Sequence, residues 1–136
     1  MTVACSTICS TATGLDEALT KIAAMGFREV DLMAFANWAH LAPAEMIDDP
    51  TKTAASVAEL LDRHSLRAVA MNVGQSYPTN TPDRTQRARN LKELRAVAAF
   101  ARHLGIPVLA LQPGRKEAGG SFEESFDLAV TAFQEI

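Results

Sequence analysis

The sequence predicts an α/β fold in which four β-strand–α-helix units follow one another along 136 residues. Segments of β-branched and small residues alternate with segments whose apolar residues recur at the i, i+3, i+4, i+7 spacing of an amphipathic helix. The centres of the last three predicted strands, Val30, Val69 and Val108, are spaced regularly, as one repeated unit requires. Such alternation implies parallel strands joined by right-handed helical crossovers.

The first two units are predicted from local patterns. Strand one covers residues 2–9 and is followed by a helix over 15–25. Strand two covers 27–33. After a long loop, helix two is expected over 51–64, with Thr51 as its N-cap.

The third unit begins with a strand over 66–73 and a turn-rich loop, GQSYPTNTPD. Helix three is expected to start with Thr81 as N-cap and Pro82 at the first helical position, where proline is best tolerated. Gly105 ends it, and strand four covers 106–111.

The last helix begins at Ser121, which forms a predicted capping box with Glu124. The sequence reaches Ile136 without a helix-ending signal. The apolar face of this helix is predicted to consist of Phe126, Ala129, Val130 and Phe133.

Two architectures fit this order of elements: an open doubly wound sheet, or part of a (β/α)8 barrel. No glycine-rich phosphate-binding fingerprint follows strand one, where a dinucleotide-binding sheet carries it. The loops after the strands (34–50, 74–81 and 112–120) are long, and those before the strands are short. A barrel with its site at the carboxyl ends of the strands has this asymmetry, although open sheets also show it.

The composition is that of an ordinary globular protein, with 48% apolar and 21% charged residues. A net charge of −3 without a basic stripe disfavours nucleic acid as the main partner. We find neither a membrane-spanning apolar run nor a signal peptide, so we expect a cytoplasmic protein. Within a continuous strand, Cys5 and Cys9 would lie roughly 13 Å apart, too far to form a disulfide, and we expect reduced thiols.

Three segments, MGFREVDLM, LLDRHSLRAVAMNVG and RARNLKELRAVAAFARHLGIPVLALQPG, resemble the first half of a xylose isomerase-like TIM barrel. This superfamily includes sugar and sugar-phosphate isomerases and epimerases and the apurinic endonucleases. A complete barrel needs about 250 residues. The resemblance therefore implies that residues 1–136 are a single, incomplete (β/α)4 unit, the N-terminal half of such a barrel.

In this arrangement each of the later strands directs one polar side chain toward the barrel axis near its carboxyl end. Asp31, Asn72 and Gln112 are these candidates for substrate contact, and the alternative is that they only cap strands or start turns. Strict alternation predicts the orientation of the other residues. The helix-facing residues are expected to be Val30, Leu32, Val69, Met71, Val73, Leu109 and Leu111. The axis-facing residues are expected to be Ala68, Ala70, Val108 and Ala110.

Three further substrate-binding candidates come from the loops. Trp38 and His40 follow strand two and could give a sugar an apolar platform and a hydrogen-bonding partner; simple loop packing is equally compatible. Arg115 follows strand four and could bind a phosphate or carboxylate, or remain solvated. His64 and His103 end helices and are expected to be structural.

The resemblance implies an isomerase or epimerase that moves a proton next to a carbonyl and is active in carbohydrate metabolism. It also implies a divalent metal (Mn, Mg, Zn or Co) bound by the second half of the barrel. We therefore assign no metal ligand or catalytic residue here and expect no cofactor for these residues alone. The apurinic endonuclease branch has histidines after strands three and four, where this sequence has Asn72 and Gln112. Amides are poor zinc ligands, so DNA repair is the less favoured alternative.

A different class of function is also open: a non-enzymatic half-barrel that binds a ligand, associates with itself, or pairs with the missing half. For the enzyme hypothesis the partner is a small sugar-like molecule, with neither nucleic acid nor membrane involved.

Overall fold

Four parallel strands alternate with four helices in the computed structural model, which describes residues 3–116 and 119–136. The strands are β1 (Cys5–Ser6), β2 (Glu29–Phe35), β3 (Arg67–Gly74) and β4 (Leu109–Leu111). The helices are α1 (Leu15–Ala24), α2 (Pro50–Arg63), α3 (Arg84–Leu104) and α4 (Phe122–Gln134). The predicted α/β class is confirmed. Residue 2 of the predicted first strand and residues 117 and 118 of the predicted last loop lie outside the described residues.

The strands pair in their sequence order, β1-β2-β3-β4, and every pair is parallel. A classical dinucleotide-binding sheet instead reverses its strand order at a switch point. The sequential order is that of one side of a closed barrel, as the loop lengths predict.

One face of the sheet packs on the helices and forms the core. Val30 and Leu32 of β2 and Met71 and Val73 of β3 are fully buried there. The helices contribute Leu19, Ile22, Ala54, Val57, Leu61, Leu94, Val97 and Phe100. Burying each large apolar side chain stabilises the fold by about 1.5–3 kcal/mol. On β4, Leu109 and Leu111 pack against this core, as alternation predicts, and the flanking Val108 is 53% exposed on the opposite face.

The first strand is much shorter than predicted, because the chain leaves the sheet after Ser6 and makes a 3-10 turn over Thr7–Ser10. The buried Thr7 accepts a hydrogen bond at Oγ1 from the backbone N–H of Met33 (3.0 Å). A side chain thus satisfies the amide that a longer strand would pair. The turn brings the Sγ atoms of Cys5 and Cys9 to 3.9 Å. The predicted separation of roughly 13 Å is therefore wrong, since it assumed a continuous strand.

Strand β3 contains a bulge that changes the side-chain alternation. Val30 pairs with Ala68 and Asp31 pairs with Ala70, so Val69 is an extra residue without an opposite partner. Ala68 is 3% exposed and belongs to the core with Val30, whereas Val69 is only half-buried. The predicted orientations of Ala68 and Val69 are therefore wrong. Above the bulge the prediction agrees with the structure, because Met71 and Val73 are in the core.

Two helices begin at residues other than those predicted. Asp49 is the N-cap of α2 and accepts a hydrogen bond from the Lys52 N–H (2.8 Å), so Thr51 is already helical. Asp83 is the N-cap of α3, with Oδ1 bound to two backbone N–H groups. Thr81 is instead buried in the preceding loop, where its Oγ1 donates to Gln86 (2.6 Å).

Helix α4 begins where the sequence predicts, but the apolar face predicted to be buried is mostly exposed. Ser121 and Glu124 form the capping box, and the Ser121 N–H holds the pKa of the Glu124 carboxyl below its usual range. Ser125 and Ala129 are the buried residues of this helix. Three of the residues predicted for its buried face are exposed, together with Phe122; the exposed stripe consists of Phe122, Phe126, Val130 and Phe133.

His64 lies between α2 and β3 and bonds Asp16 of α1, with Nε2 and Oδ1 2.7 Å apart. Arg63 approaches the other carboxylate oxygen at 3.1 Å. The hydrogen bond from His64, aided by the charge of Arg63, lowers the pKa of Asp16. Within the described ranges, no helix combines the length and apolar character that a bilayer crossing requires.

Candidate functional site

A cleft of about 340 Å³ opens at the carboxyl ends of β2, β3 and β4. Parallel strands of α/β proteins place their binding sites at this end. The lining residues come from two strand ends and two loops: Phe35, Gly74, Gln75, Ser76, Tyr77, Pro78, Thr79, Gln112, Gly114 and Arg115.

The aromatic wall of the cleft is formed by Phe35 at the end of β2. Its ring lies directly over Gly74, and a Cβ at that position would overlap the ring atoms. Trp38 contacts this ring in a tilted arrangement, with ring centroids 4.8 Å apart and an interplanar angle of 35°, and is 46% exposed. A glycine in β3 therefore allows two aromatic rings to lie beside the cleft.

The loop after β3 is fixed to helix α3 by two buried polar side chains. Glu93 is fully buried and accepts hydrogen bonds from Ser76 N (2.8 Å), Ser76 Oγ (2.5 Å) and Arg89 Nε (3.0 Å). Asn90 accepts from the Tyr77 N–H (3.2 Å) and donates to the Tyr77 carbonyl (3.1 Å). These side chains take the place of water as hydrogen-bonding partners of the loop backbone and hold the loop in one conformation.

The same loop is joined to the loop after β4. Thr79 Oγ1 donates to the Gln112 carbonyl (2.5 Å). Asn80 is 2% exposed; it donates to the Arg115 carbonyl (2.6 Å) and accepts from the Arg115 N–H (3.2 Å). A weaker bond reaches the Ser125 carbonyl of α4 (3.4 Å). The two polar walls of the cleft are thus held at a fixed separation.

Asp31 and Asn72 form a pair on the adjacent strands, below the cleft. Asn72 Nδ2 donates to both carboxylate oxygens of Asp31, at 2.9 and 2.8 Å. Because both bonds use the amide nitrogen, Oδ1 of Asn72 is directed away from Asp31. Asn72 and Gly74 share one face of β3, so the pair lies roughly 7 Å beneath the floor at Gly74.

His40 is held by the first βα loop. Its Nε2 lies 3.1 Å from the Ser10 carbonyl. A carbonyl can only accept, so Nε2 carries the proton. Its Nδ1 is buried without a hydrogen-bond partner among the residues that the structure describes.

The structure brings some of the predicted substrate contacts together and separates others. Gln112 and Arg115 both line the cleft. Trp38 does not line the cleft but contacts Phe35, which does. Asp31 and Asn72 bond each other below the cleft, and neither residue lines it. His40 is likewise outside the lining and contacts the loop after β1.

Sequence reasoning missed most of the residues that shape the cleft. Glu93 and Asn90 are among the buried residues of α3, and the sequence analysis identified neither as a candidate. Thr79 and Asn80 lie in the turn-rich loop GQSYPTNTPD, where their composition indicates only a turn. The sequence feature that could have identified them is the high density of short polar side chains between two buried elements. This density is more typical of a loop held by internal hydrogen bonds than of a solvated loop.

The described residues do not form the cluster of ligands that a divalent metal requires. Among residues 3–116 and 119–136, no three His, Cys, Asp or Glu side chains are grouped so that they could hold an ion. Asp31 supplies a carboxylate, but its oxygens already accept from Asn72, and the cleft is lined by amides, hydroxyls and a cation. The donor set present fits a polar organic ligand better than a metal.

Comparison with known proteins agrees with this geometry. The family model for the xylose isomerase-like TIM barrel matches residues 19–136. No curated protein matches the sequence.

Two solved structures share the fold. D-psicose 3-epimerase, determined in the presence of D-fructose, superposes with a TM-score of 0.71 at 10% identity, covering 98% of this chain and 46% of the epimerase. SacUVDE superposes with a TM-score of 0.57 at 15% identity, covering 89% of this chain and 44% of its own. The chain thus spans about half the length of these structures, and its four described βα units correspond to half a barrel.

Proposed function

The chain belongs to the xylose isomerase-like TIM barrel family, and from this premise we propose that it forms the substrate-binding half of a sugar or sugar-phosphate isomerase or epimerase. The observation that carries the proposal is the cleft at the carboxyl ends of the strands. It has an aromatic wall, polar loops and one cation.

The lining suits a small polyhydroxylated ligand. A volume of about 340 Å³ is within the range of small-molecule sites. The side chains of Gln75, Ser76 and Gln112 offer amide and hydroxyl groups for sugar hydroxyls, and Phe35 offers an apolar surface. Arg115 adds a donor for an anionic group, which favours a phosphorylated or carboxylated ligand.

The reaction would be a proton transfer next to a carbonyl, as in the sugar isomerases of this superfamily. The described residues contribute binding and orientation, because they hold neither a metal cluster nor a carboxylate in the cleft lining. We propose that Asn72, fixed by Asp31 below the cleft floor, presents Oδ1 toward the axis, where it accepts a hydrogen bond from a substrate group that extends below the cleft. The general base, and any metal that polarises the carbonyl, would come from residues beyond those described.

Ligand binding tests this proposal directly. Titration of the protein with a ketohexose and its monophosphate, followed by calorimetry or amide chemical shifts, should show binding at the cleft. Arg115→Ala should weaken binding of the sugar monophosphate by roughly ten- to one-hundred-fold, because a hydrogen bond to a charged group contributes about 1.5–3 kcal/mol. It should leave the free sugar nearly unaffected.

Arg95→Ala is the matched control, since Arg95 is exposed on α3 and outside the cleft lining. Binding of neither sugar, or equal effects of the two arginine variants, would contradict the proposal. Cleavage of abasic DNA by the protein would favour the endonuclease alternative instead.

As the alternative to the enzyme, we propose a non-enzymatic half-barrel that pairs with a second copy through α4. Phe122, Phe126, Val130 and Phe133 form an exposed apolar stripe on this helix. Two copies would supply eight βα units, the number in a closed barrel. Light scattering after size-exclusion chromatography should give a dimer that Phe126→Ser dissociates and that Met25→Ser, at an exposed apolar residue elsewhere, does not. A monomeric protein would refute the pairing.

A further inference from the structure

Two thiols lie in contact at the end of β1. The Sγ atoms of Cys5 and Cys9 are 3.9 Å apart, and both cysteines are free. The 3-10 turn over Thr7–Ser10 creates this contact, because it folds the chain back after Ser6 and brings Cys9 beside Cys5. Formation of a disulfide requires the sulfur atoms to approach by about 2 Å, to the usual bond length near 2.05 Å.

The surroundings of the two thiols differ. Cys9 is exposed, whereas Cys5 is half-buried in β1. Burial, together with the hydrogen bond to Cys9, raises the pKa of the Cys5 thiol. An oxidant from solution therefore meets Cys9 first, and Cys5 is positioned behind it as a second, protected thiol.

We propose that Cys5 and Cys9 are a redox-active pair that closes reversibly into an intramolecular disulfide. The oxidant is a small-molecule disulfide such as oxidised glutathione. This inference is independent of the proposed sugar chemistry, since it rests only on the loop after β1.

The exchange proceeds in two balanced steps. The Cys9 thiolate attacks one sulfur of the small-molecule disulfide, forming a mixed disulfide and releasing one thiolate of the oxidant. The Cys5 thiolate then attacks the Cys9 sulfur of the mixed disulfide, forming the Cys5–Cys9 bond and releasing the second thiolate. The protein loses two electrons and two protons, and the oxidant becomes two thiols.

Closure of this bond bears on the fold because the segment between the cysteines holds neighbouring elements. Thr7, inside the loop that the disulfide closes, accepts the hydrogen bond from the Met33 N–H of β2. Ser10, the residue after Cys9, holds the ring of His40 through its carbonyl. A movement of the sulfur atoms by about 2 Å is therefore transmitted to the start of the loop after β2.

Intact-mass spectrometry of the protein incubated with oxidised glutathione tests the pair. We expect the monomer to lose two hydrogen atoms, both cysteines to become resistant to alkylation, and dithiothreitol to restore both thiols. Cys5→Ser should instead accumulate a stable glutathione adduct on Cys9, because the second thiol is absent. The backbone amide signals of Met33 and the ring signals of His40 should shift in the oxidised wild-type protein and remain unchanged in the glutathionylated variant.

Three outcomes would overturn the proposal. They are a persistent glutathione adduct on Cys9 of the wild-type protein, disulfide-linked dimers, and thiols that remain fully alkylatable after the incubation. Unchanged signals of Met33 and His40 after closure would refute the transmission to β2 and its loop. Because sugar binding is measured separately, these results are distinguishable from a failure of the proposed function.

Discussion

Replacement of Glu93 by glutamine tests whether a buried carboxylate holds the loop that lines the cleft. Glu93 is fully buried and accepts three hydrogen bonds, two from Ser76 and one from Arg89. The amide of Glu93→Gln keeps the shape of the side chain and loses its charge. If its nitrogen replaces Oε1, it can still donate to the Ser76 hydroxyl, but it faces the Arg89 donor and loses that bond.

The expected cost follows from these contacts. Loss of one charge-assisted hydrogen bond costs about 1.5–3 kcal/mol. Because the Arg89 side chain is 46% exposed, water compensates part of this loss, and we expect a decrease of about 2 kcal/mol in the free energy of unfolding. For a chain of this size this corresponds to a decrease in Tm of roughly 8 °C.

Urea and thermal unfolding measure this change, and amide hydrogen exchange locates it. The Ser76 and Tyr77 amides should exchange faster in Glu93→Gln, because the Ser76 N–H then has a neutral amide acceptor instead of a carboxylate and the loop loosens. Glu59→Gln on the exposed face of α2 is the matched control and should change stability by about 0.5 kcal/mol or less. Equal stabilities of the two variants, or unchanged exchange at Ser76, would refute the anchoring role.

Three further changes probe other contacts. Gly74→Ala should displace the Phe35 ring at a cost of about 1–3 kcal/mol, and fluorescence of Trp38, which stacks on that ring, should report the displacement; an unchanged spectrum would contradict this packing. Asn80→Ala should destabilise the protein by about 2–3 kcal/mol and loosen the two cleft loops, as hydrogen exchange would detect. The lowered pKa of Asp16 means that its carboxylate stabilises the fold above its ordinary pKa of 3.8 and loses this effect as the pH falls through the folded value. Asp16→Asn should therefore be less stable than the wild type near neutral pH, and the difference should shrink as the pH falls below 3.8; a constant difference across this range would contradict the assignment.

The fold could be predicted because its determinants are local and repeated. Alternating strand and helix patterns fix parallel strands, and short connections place consecutive strands side by side. The Ser121 capping box was identified correctly because both of its partners lie within one helical turn. By contrast, Asp49 and Asp83 compete with nearby threonines as N-caps, and the choice between them depends on packing of the loop.

The site was less predictable because its polar residues depend on distant partners. Glu93 has the spacing of a core position and the chemistry of a surface residue, and only the Ser76 loop explains its burial. Asn80 likewise needs the backbone of Arg115, which follows a different strand. The bend after Ser6 was not predicted because it depends on the Thr7 side chain, which replaces a backbone carbonyl of the first strand as the acceptor for the Met33 N–H of β2. These long-range hydrogen bonds leave no periodic pattern in the sequence.

The extra residue in β3 has a consequence for how this domain tolerates changes of length. Below Val69 the strand presents even-numbered residues to the helices, and above it odd-numbered ones. Deleting that single valine would remove the bulge and leave one regular alternation, in which Ala68 still faces the helices and Asn72 still faces the axis. A second deletion in this part of β3 would have no extra residue left to remove and would turn Asn72 toward the helices, whereas changes of length in the outer loops leave the alternation of the strand unchanged.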